Sequence, residues 1–262
     1  MSTGSGQALG ETLQLGTFTA TSLRTLEVGP SSSGSATIVD LSSSSGSGSG
    51  GVTNVVVSDN TQVLFISGTA SGSVSAVFGG TGTSFVVGSA GTEFVDLSKS
   101  TQNATVVAGV GNDSVLGGGG NDTVQLGDSG VANGGGGADT IIGGLGVATL
   151  GGGGGADSIV ASSGGGALIG EAGNDTMVGG AGKDVFIFSN LGDQDVVAGF
   201  DPAQDTIGLA NYGQIVAAGW SLNDVISRAT VSGNSTIINM PDGSTITVSG
   251  VTGININWFT VK

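Results

Sequence analysis

Residues 117–125 read GGGGNDTVQ: four glycines, an amide, one carboxylate, then a short β-favouring run. The stretch keeps returning. Around it stand AGVGNDSVL (108–116), a shortened LGDSGVAN (126–133), GGGGADTII (134–142) and GGLGVATLG (143–151). GGGGADSIV (152–160), ASSGGGALI (161–169), GEAGNDTMV (170–178) and GGAGKDVFI (179–187) complete the series. The shared pattern is a nonapeptide, G-G-x-G-x-D-x-U-x, with U large and apolar. A period of nine is too short for a helical-hairpin repeat and predicts strand-plus-turn units stacked into a solenoid. Upstream, Val77, Val86 and Val95 keep the interval of nine, Val106 comes after eleven and Val115 after nine.

Composition narrows the function classes. The 262 residues include 54 glycines but only 3 prolines, with no three-residue period, which excludes a collagen helix. Acids outnumber bases 20 to 5, giving a net charge of −15. That balance argues against nucleic acid, whose phosphates need a basic footprint. It favours cations as partners, because clustered carboxylates require neutralisation. Cysteine and histidine are both absent, which removes disulfides, the thiolate and imidazole metal ligands, and the commonest general base. The opening MSTGSGQALG has neither a basic start nor an apolar stretch, so no cleavable signal peptide is expected, and no run reaches the ~18 apolar residues of a membrane span.

The repeats resemble the calcium-binding nonapeptides of the repeats-in-toxin (RTX) family, which form a parallel β-roll. The resemblance covers roughly residues 79–262. The segment DVFIFSNLGDQDVVAGFDPAQDTIGL (184–209) is similar to the one after the roll in many secreted members, where an F-D-x-x-x-D element closes the last turns. STIINMPDGSTITVSGV (235–251) resembles the family's terminal hairpin, with Pro241 to Ser244 as the turn. The expected fold is therefore all-β: a parallel β-roll, or β-solenoid, with calcium between turns and a C-terminal antiparallel β cap.

Each repeat then has two jobs. Its last three residues form a brief strand, with Val115, Val124, Ile141, Leu150, Ile159, Leu168, Met177 and Phe186 stacked as an apolar core. Its first six form a turn in which glycine allows positive φ and lets carbonyl oxygens converge. Calcium takes six to eight hard oxygens, and magnesium fits such a turn less well because it demands a tighter octahedron. The candidate carboxylates are Asp113, Asp122, Asp139, Asp157, Asp175 and Asp184. The candidate carbonyl donors are those of Gly109, Gly111, Gly118, Gly120, Gly135, Gly137, Gly153, Gly155, Gly173, Gly180 and Gly182. The resemblance adds Asp193, Asp195, Asp201 and Asp205 as ligands or capping residues.

In a β-roll two nonapeptides complete one coil, so alternate repeats share an edge. One edge carries Asp122, Asp139, Asp157 and Asp175 without a gap. The other carries Asp113, an out-of-register Asp128, then Ala148 and Gly166 where Asp is expected, and finally Asp184. A continuous calcium ladder is expected on the first edge and an interrupted one on the second. Strands ~4.8 Å apart bring carboxylates close enough to repel by about 0.9 kcal/mol even in water, so the roll is expected to fold only with calcium.

The expected organisation has four parts. Residues 1–51 form a polar, partly β segment ending in a Ser/Gly-rich connection (42–51), and 52–107 form calcium-free solenoid turns. Residues 108–187 form the roll, and 188–262 the cap with a secretion signal. A nucleophile–base pair needs His, Cys or a Lys beside a hydroxyl, and Lys99 and Lys183 lie within repeats, so no enzyme is expected. The resemblance implies export through type I secretion machinery of a Gram-negative bacterium to the cell surface or beyond, guided by an uncleaved C-terminal signal. Met1 and the distinct N-terminal region suggest a complete protein.

Position nine, expected to face outward, is aliphatic in six of the repeats: Leu116, Ile142, Val160, Ile169, Val178 and Ile187. Such a row predicts self-association into an oligomer or polymer, as in a surface layer, fibre or matrix. The alternative is a monomeric calcium-binding adhesin, or the non-catalytic tail of a larger secreted protein.

Overall fold

The computed structural model describes residues 84–88, 90–189, 193–210 and 212–261, together with the backbone of the strands before residue 79. The Ser/Gly-rich run 42–51 lies outside the described residues. Two compact units are present, 1–136 and 137–262.

Unit 1 contains two parallel sheets whose strands alternate along the chain. The first sheet stacks β1 (Thr12–Gln14), β3 (Thr37–Asp40), β5 (Gln62–Phe65), β7 (Ser84–Val87), β9 (Ala104–Val107) and β11 (Thr123–Gln125). The second stacks β2 (Arg24–Val28), β4 (Thr53–Val57), β6 (Ser73–Phe78), β8 (Thr92–Asp96), β10 (Asn112–Leu116) and β12 (Ser129–Gly136). Parallel pairing with one strand of the other sheet between partners defines a two-sided solenoid. The same pairing already holds at β1 to β3, within the stretch read as a polar N-terminal segment.

Unit 2 repeats the scheme by itself. Its first sheet stacks β13 (Thr140–Ile142), β15 (Ser158–Val160), β17 (Thr176–Val178) and β19 (Gln194–Ala198). Its second stacks β14 (Ala148–Gly154), β16 (Gly166–Ala172), β18 (Asp184–Phe188) and β20 (Thr206–Leu209). Thr140 lies opposite Ser158 and Ala148 opposite Gly166, an offset of two nonapeptides. The shortened repeat in unit 1 leaves its mark as Asn112 opposite Ser129, one residue less.

Alternation along each strand sorts the side chains. The apolar eighth position of every full-length repeat is buried: Val115, Val124, Ile141, Leu150, Ile159, Leu168, Met177 and Phe186. Burial of each such side chain contributes about 1.5–3 kcal/mol, so this row is the main stabilising term of the coils. Positions seven and nine face outward, with Thr123, Thr140 and Thr176 exposed and Leu116, Ile142, Val160, Ile169, Val178 and Ile187 half-buried. One expectation needs correcting. Strands β12, β14 and β16 are longer than three residues and run on into the next glycine segment, so Gly153 and Gly154 still pair with Glu171 and Ala172. Glycine without a Cβ lets the sheet curl there rather than stop.

The C-terminal cap is antiparallel, as expected. β21 (Thr230–Ser232), β22 (Ser235–Asn239) and β23 (Thr245–Val248) form a meander whose last strand joins β19 in parallel. The Pro241–Ser244 turn is fixed by Asp242, whose carboxylate accepts from the Ser244 N–H and hydroxyl, with Gly243 at φ +94°. Helix α1 (Tyr212–Ala217) has no acidic residue in its first turn, whereas α2 (Leu222–Ser227) opens on a Ser221 N-cap, completed by Asp224 as a capping box. Strand β24 (Phe259–Val261) closes the second sheet against β20. Phe200 packs between Phe186 and Trp258, at centroid distances of 5.9 and 5.2 Å, which seals the end of the apolar row.

Candidate metal centre

The sixth residue of each acidic repeat points inward, at the point where a turn becomes a strand. Asp113, Asp122, Asp139, Asp157, Asp175 and Asp184 are all buried. In unit 2 they form a ladder. Asp157 Oδ1 accepts the Asp139 N–H at 2.7 Å, and Asp175 Oδ1 accepts the Asp157 N–H at 2.9 Å. Asp195 Oδ1 takes the next rung, accepting the Asp175 N–H at 2.9 Å. In unit 1, Asp122 Oδ1 accepts the Ala104 N–H at 2.7 Å and its Oδ2 the Gly118 N–H at 2.8 Å. Each of these carboxylates ties its own coil to the one before it.

The second carboxylate oxygen is the informative one. Oδ2 of Asp113, Asp157 and Asp175, and Oδ1 of Asp184, are buried, and among the described residues no hydrogen-bond donor reaches them. An acceptor-only group left so costs about 1–3 kcal/mol or more, since it is charged. The electrostatics agree. Burial, with the charges of Asp157, Asp195 and Asp193, pushes the Asp175 carboxyl up to about 7. Burial and the Asp193 charge push Asp195 up to about 6. Asp122, Asp157 and Asp184 are also raised, in each case chiefly by burial.

The glycines divide into two groups. Gly109, Gly135, Gly137, Gly153, Gly155 and Gly173 have positive φ, as expected for turn glycines. Gly111, Gly118, Gly120, Gly180 and Gly182 do not; each lies against backbone of a neighbouring coil where a Cβ would stand. Gly155 meets both conditions, with φ +135° and the Gly137 carbonyl against its Cα. The first glycine of the repeat has a role that sequence reasoning missed. A Cβ on Gly152 or Gly170 would run into Oδ2 of the aspartate five residues on, Asp157 or Asp175. That glycine keeps the space around the unpartnered oxygen open.

The acids after the repeats join the same framework by different offsets. Asp205 Oδ1 accepts the Asp184 N–H and its Oδ2 the Asp201 N–H, both at 2.8 Å. Asp201 turns to the Ala203 N–H at 2.9 Å, a local cap, and Asp193 Oδ2 accepts the Gly173 N–H at 3.1 Å. On the interrupted edge of unit 2, Ala148 and Gly166 stand in register with Asp184. There Ser162 Oγ accepts the Gly144 N–H at 3.1 Å, so a neutral hydroxyl makes the inter-coil bond. Asp128 lies outside the rung and acts on Asp113 only through its charge.

These observations test whether calcium fits. Buried acceptor-only oxygens in the turns of Asp113, Asp157, Asp175 and Asp184 sit beside glycine backbone, and among the described residues no three acidic side chains converge on one point. A donor set of one carboxylate plus backbone carbonyls suits a hard cation that accepts six to eight oxygens, and calcium is such an ion. When bound it neutralises the buried carboxylates. The protein's own contribution is to hold Asp113, Asp157 and Asp175 by an amide of the preceding coil, so the second oxygen stays directed into the turn.

A family model described as the RTX calcium-binding nonapeptide repeat (4 copies) matches residues 100–129, 131–150 and 151–186. No curated protein matches the chain. Among solved structures, the extracellular lipase LipA from Serratia marcescens is similar at 13% identity, with a TM-score of 0.24. The match covers 86% of this chain and 42% of the lipase, and a likeness so distant carries no argument about activity. The repeat pattern, the parallel two-sheet coils and the buried aspartate rungs agree with that match: the segment 100–186 carries RTX calcium-binding nonapeptide repeats within a parallel β-solenoid, consistent with an RTX β-roll.

Proposed function

We propose that this chain is a secreted, non-catalytic structural protein that folds on meeting calcium outside the cell and then self-associates. The observation that carries the reading is the set of buried aspartate oxygens that no donor among the described residues reaches, which leaves the calcium-free roll with uncompensated charge. Asp113, Asp122, Asp139, Asp157, Asp175 and Asp184, with the carbonyls of the turn glycines, are the proposed ligands, and Asp193, Asp195, Asp201 and Asp205 extend the series into the cap. Extracellular calcium modules bind at about 10⁻⁴–10⁻³ M, a range that separates cytosol from exterior, as export through type I machinery from a Gram-negative cell would require.

Self-association is supported by apolar surface. The position-nine residues line the outside of the strands. On the interrupted edge of unit 2, where the aspartate is replaced, Leu145 and Val147 are 74% and 64% exposed. Among the described residues no helix is long and apolar enough to cross a membrane, so these side chains are not part of a helical span. Electron microscopy and light scattering with and without calcium test the reading. Ordered polymers that form on adding calcium support it; a monomer at high concentration and saturating calcium refutes assembly and leaves a calcium-loaded adhesin.

A further inference from the structure

An acidic rung lies outside the nonapeptide match. Strand β8, TEFVD, alternates so that Glu93 turns inward at 1% exposure while its neighbour Phe94 is 37% exposed. The hydrophobic effect alone favours the opposite arrangement. The register is fixed nonetheless, with Phe94 opposite Ser114 and Val95 opposite Val115. Glu93 therefore occupies, one coil earlier, the rung that Asp113 occupies. Its N–H donates to Asp113 Oδ1 at 2.9 Å, and among the described residues no donor reaches Asp113 Oδ2.

The charges around Asp113 are negative. The Glu93 carboxyl contacts it and Asp128 adds a further negative charge, and no cationic side chain among the described residues acts on it. Taking charged groups out of water costs several kcal/mol each, and a like-charged pair has no Coulombic gain to set against that. A buried Glu beside an exposed Phe is thus a feature that a bound cation makes favourable.

We infer that Glu93 and Asp113 together hold a hard divalent cation, calcium, between the first nonapeptide repeat and the coil that precedes it. Two carboxylates balance its charge in full, where a repeat turn supplies one. Backbone carbonyls complete the oxygen set, Gly91 among them, whose carbonyl lies against Gly111 in this turn. The ion-binding part of the roll then reaches back into the segment 52–107 that the sequence presents as calcium-free. The inference rests on the calcium reading of the repeats and extends it to a glutamate that the repeat pattern does not contain.

Counting bound calcium in the full-length protein by native mass spectrometry tests it. Glu93→Gln and Asp113→Asn are each expected to hold one ion fewer than the unsubstituted chain. The double variant is also expected to lose one only, and Glu93→Asp to regain it. An unchanged count in Glu93→Gln overturns the site, since the pair then shares a proton rather than an ion, and a double variant short of two ions overturns it equally. If the variants do not fold, crystals of the unsubstituted protein grown in calcium decide: anomalous density between the two carboxylates supports the site, and density confined to the repeats refutes it. An unsubstituted chain that binds no calcium at all removes the reading of the repeats as well, so the two failures are distinct.

Discussion

The two edges of unit 2 share one backbone scheme and differ in what fills the rung. On one, Asp157, Asp175 and Asp195 each accept the amide of the preceding coil, and Asp157 and Asp175 bury their carboxylates. On the other, Ala148 and Gly166 stand in the aspartate's place and the Ser162 hydroxyl makes an inter-coil bond instead. Both edges satisfy backbone amides. Only the first carries a run of negative charge in a low-dielectric place, and so only the first needs an ion along its length to be stable. The neutral edge holds itself together and leaves Leu145 and Val147 for other contacts.

Removing calcium tests that contrast most severely. In excess EGTA the far-UV circular dichroism is expected to lose most of its β signal, because the acidic edge fails as a unit. Retention of full β-structure would break the proposed division of labour. Next in size is Gly155→Ala, which places a Cβ against the Gly137 carbonyl at φ +135°. Its cost should be about 3 kcal/mol, from strained φ together with a backbone clash, read as a lower denaturation midpoint in calcium.

A matched pair of variants sharpens the comparison. Asp157→Ala leaves the Asp139 amide without its acceptor and should cost about 1–3 kcal/mol, together with the loss of bound calcium. Ser162→Ala removes the Gly144 partner and should cost about 1 kcal/mol, with no change in calcium count. Equal calcium counts in the two variants would erase the distinction between edges.

The effect of pH has opposite signs without and with calcium. Asp113 and Asp175 are raised from 3.8 to about 7 by burial, so the folded chain binds protons that the unfolded chain has released across that window. Stability therefore falls as pH rises from 3.8 toward 7 when calcium is absent. With calcium present the order reverses, because protons compete for the same oxygens, and the calcium midpoint should move to higher concentration as the pH is lowered. Calcium titrations monitored by circular dichroism at about pH 5 and about pH 7.5, on either side of the shifted carboxyls, check both signs.

Much of the architecture is written in the chain itself. A period of nine with an apolar eighth position dictates strand, turn and inward row, and the full-length repeats from Val115 to Phe186 obey it, while the shortened one turns Ala132 inward. The spacing also placed the aspartates on two edges and located the gaps at Ala148 and Gly166, because within the repeats two nonapeptides make one coil. The tertiary structure decided what the period does not encode. Glu93, Asp195 and Asp205 join the rungs at offsets of 20, 20 and 21 residues from their partners, which a nine-residue search passes over. Their roles arise from hydrogen bonds between coils, and such bonds depend on which residues the stacked strands bring opposite one another. Local sequence sets the shape of each turn; only the register between coils determines which carboxylate faces which amide and which oxygen is left for an ion.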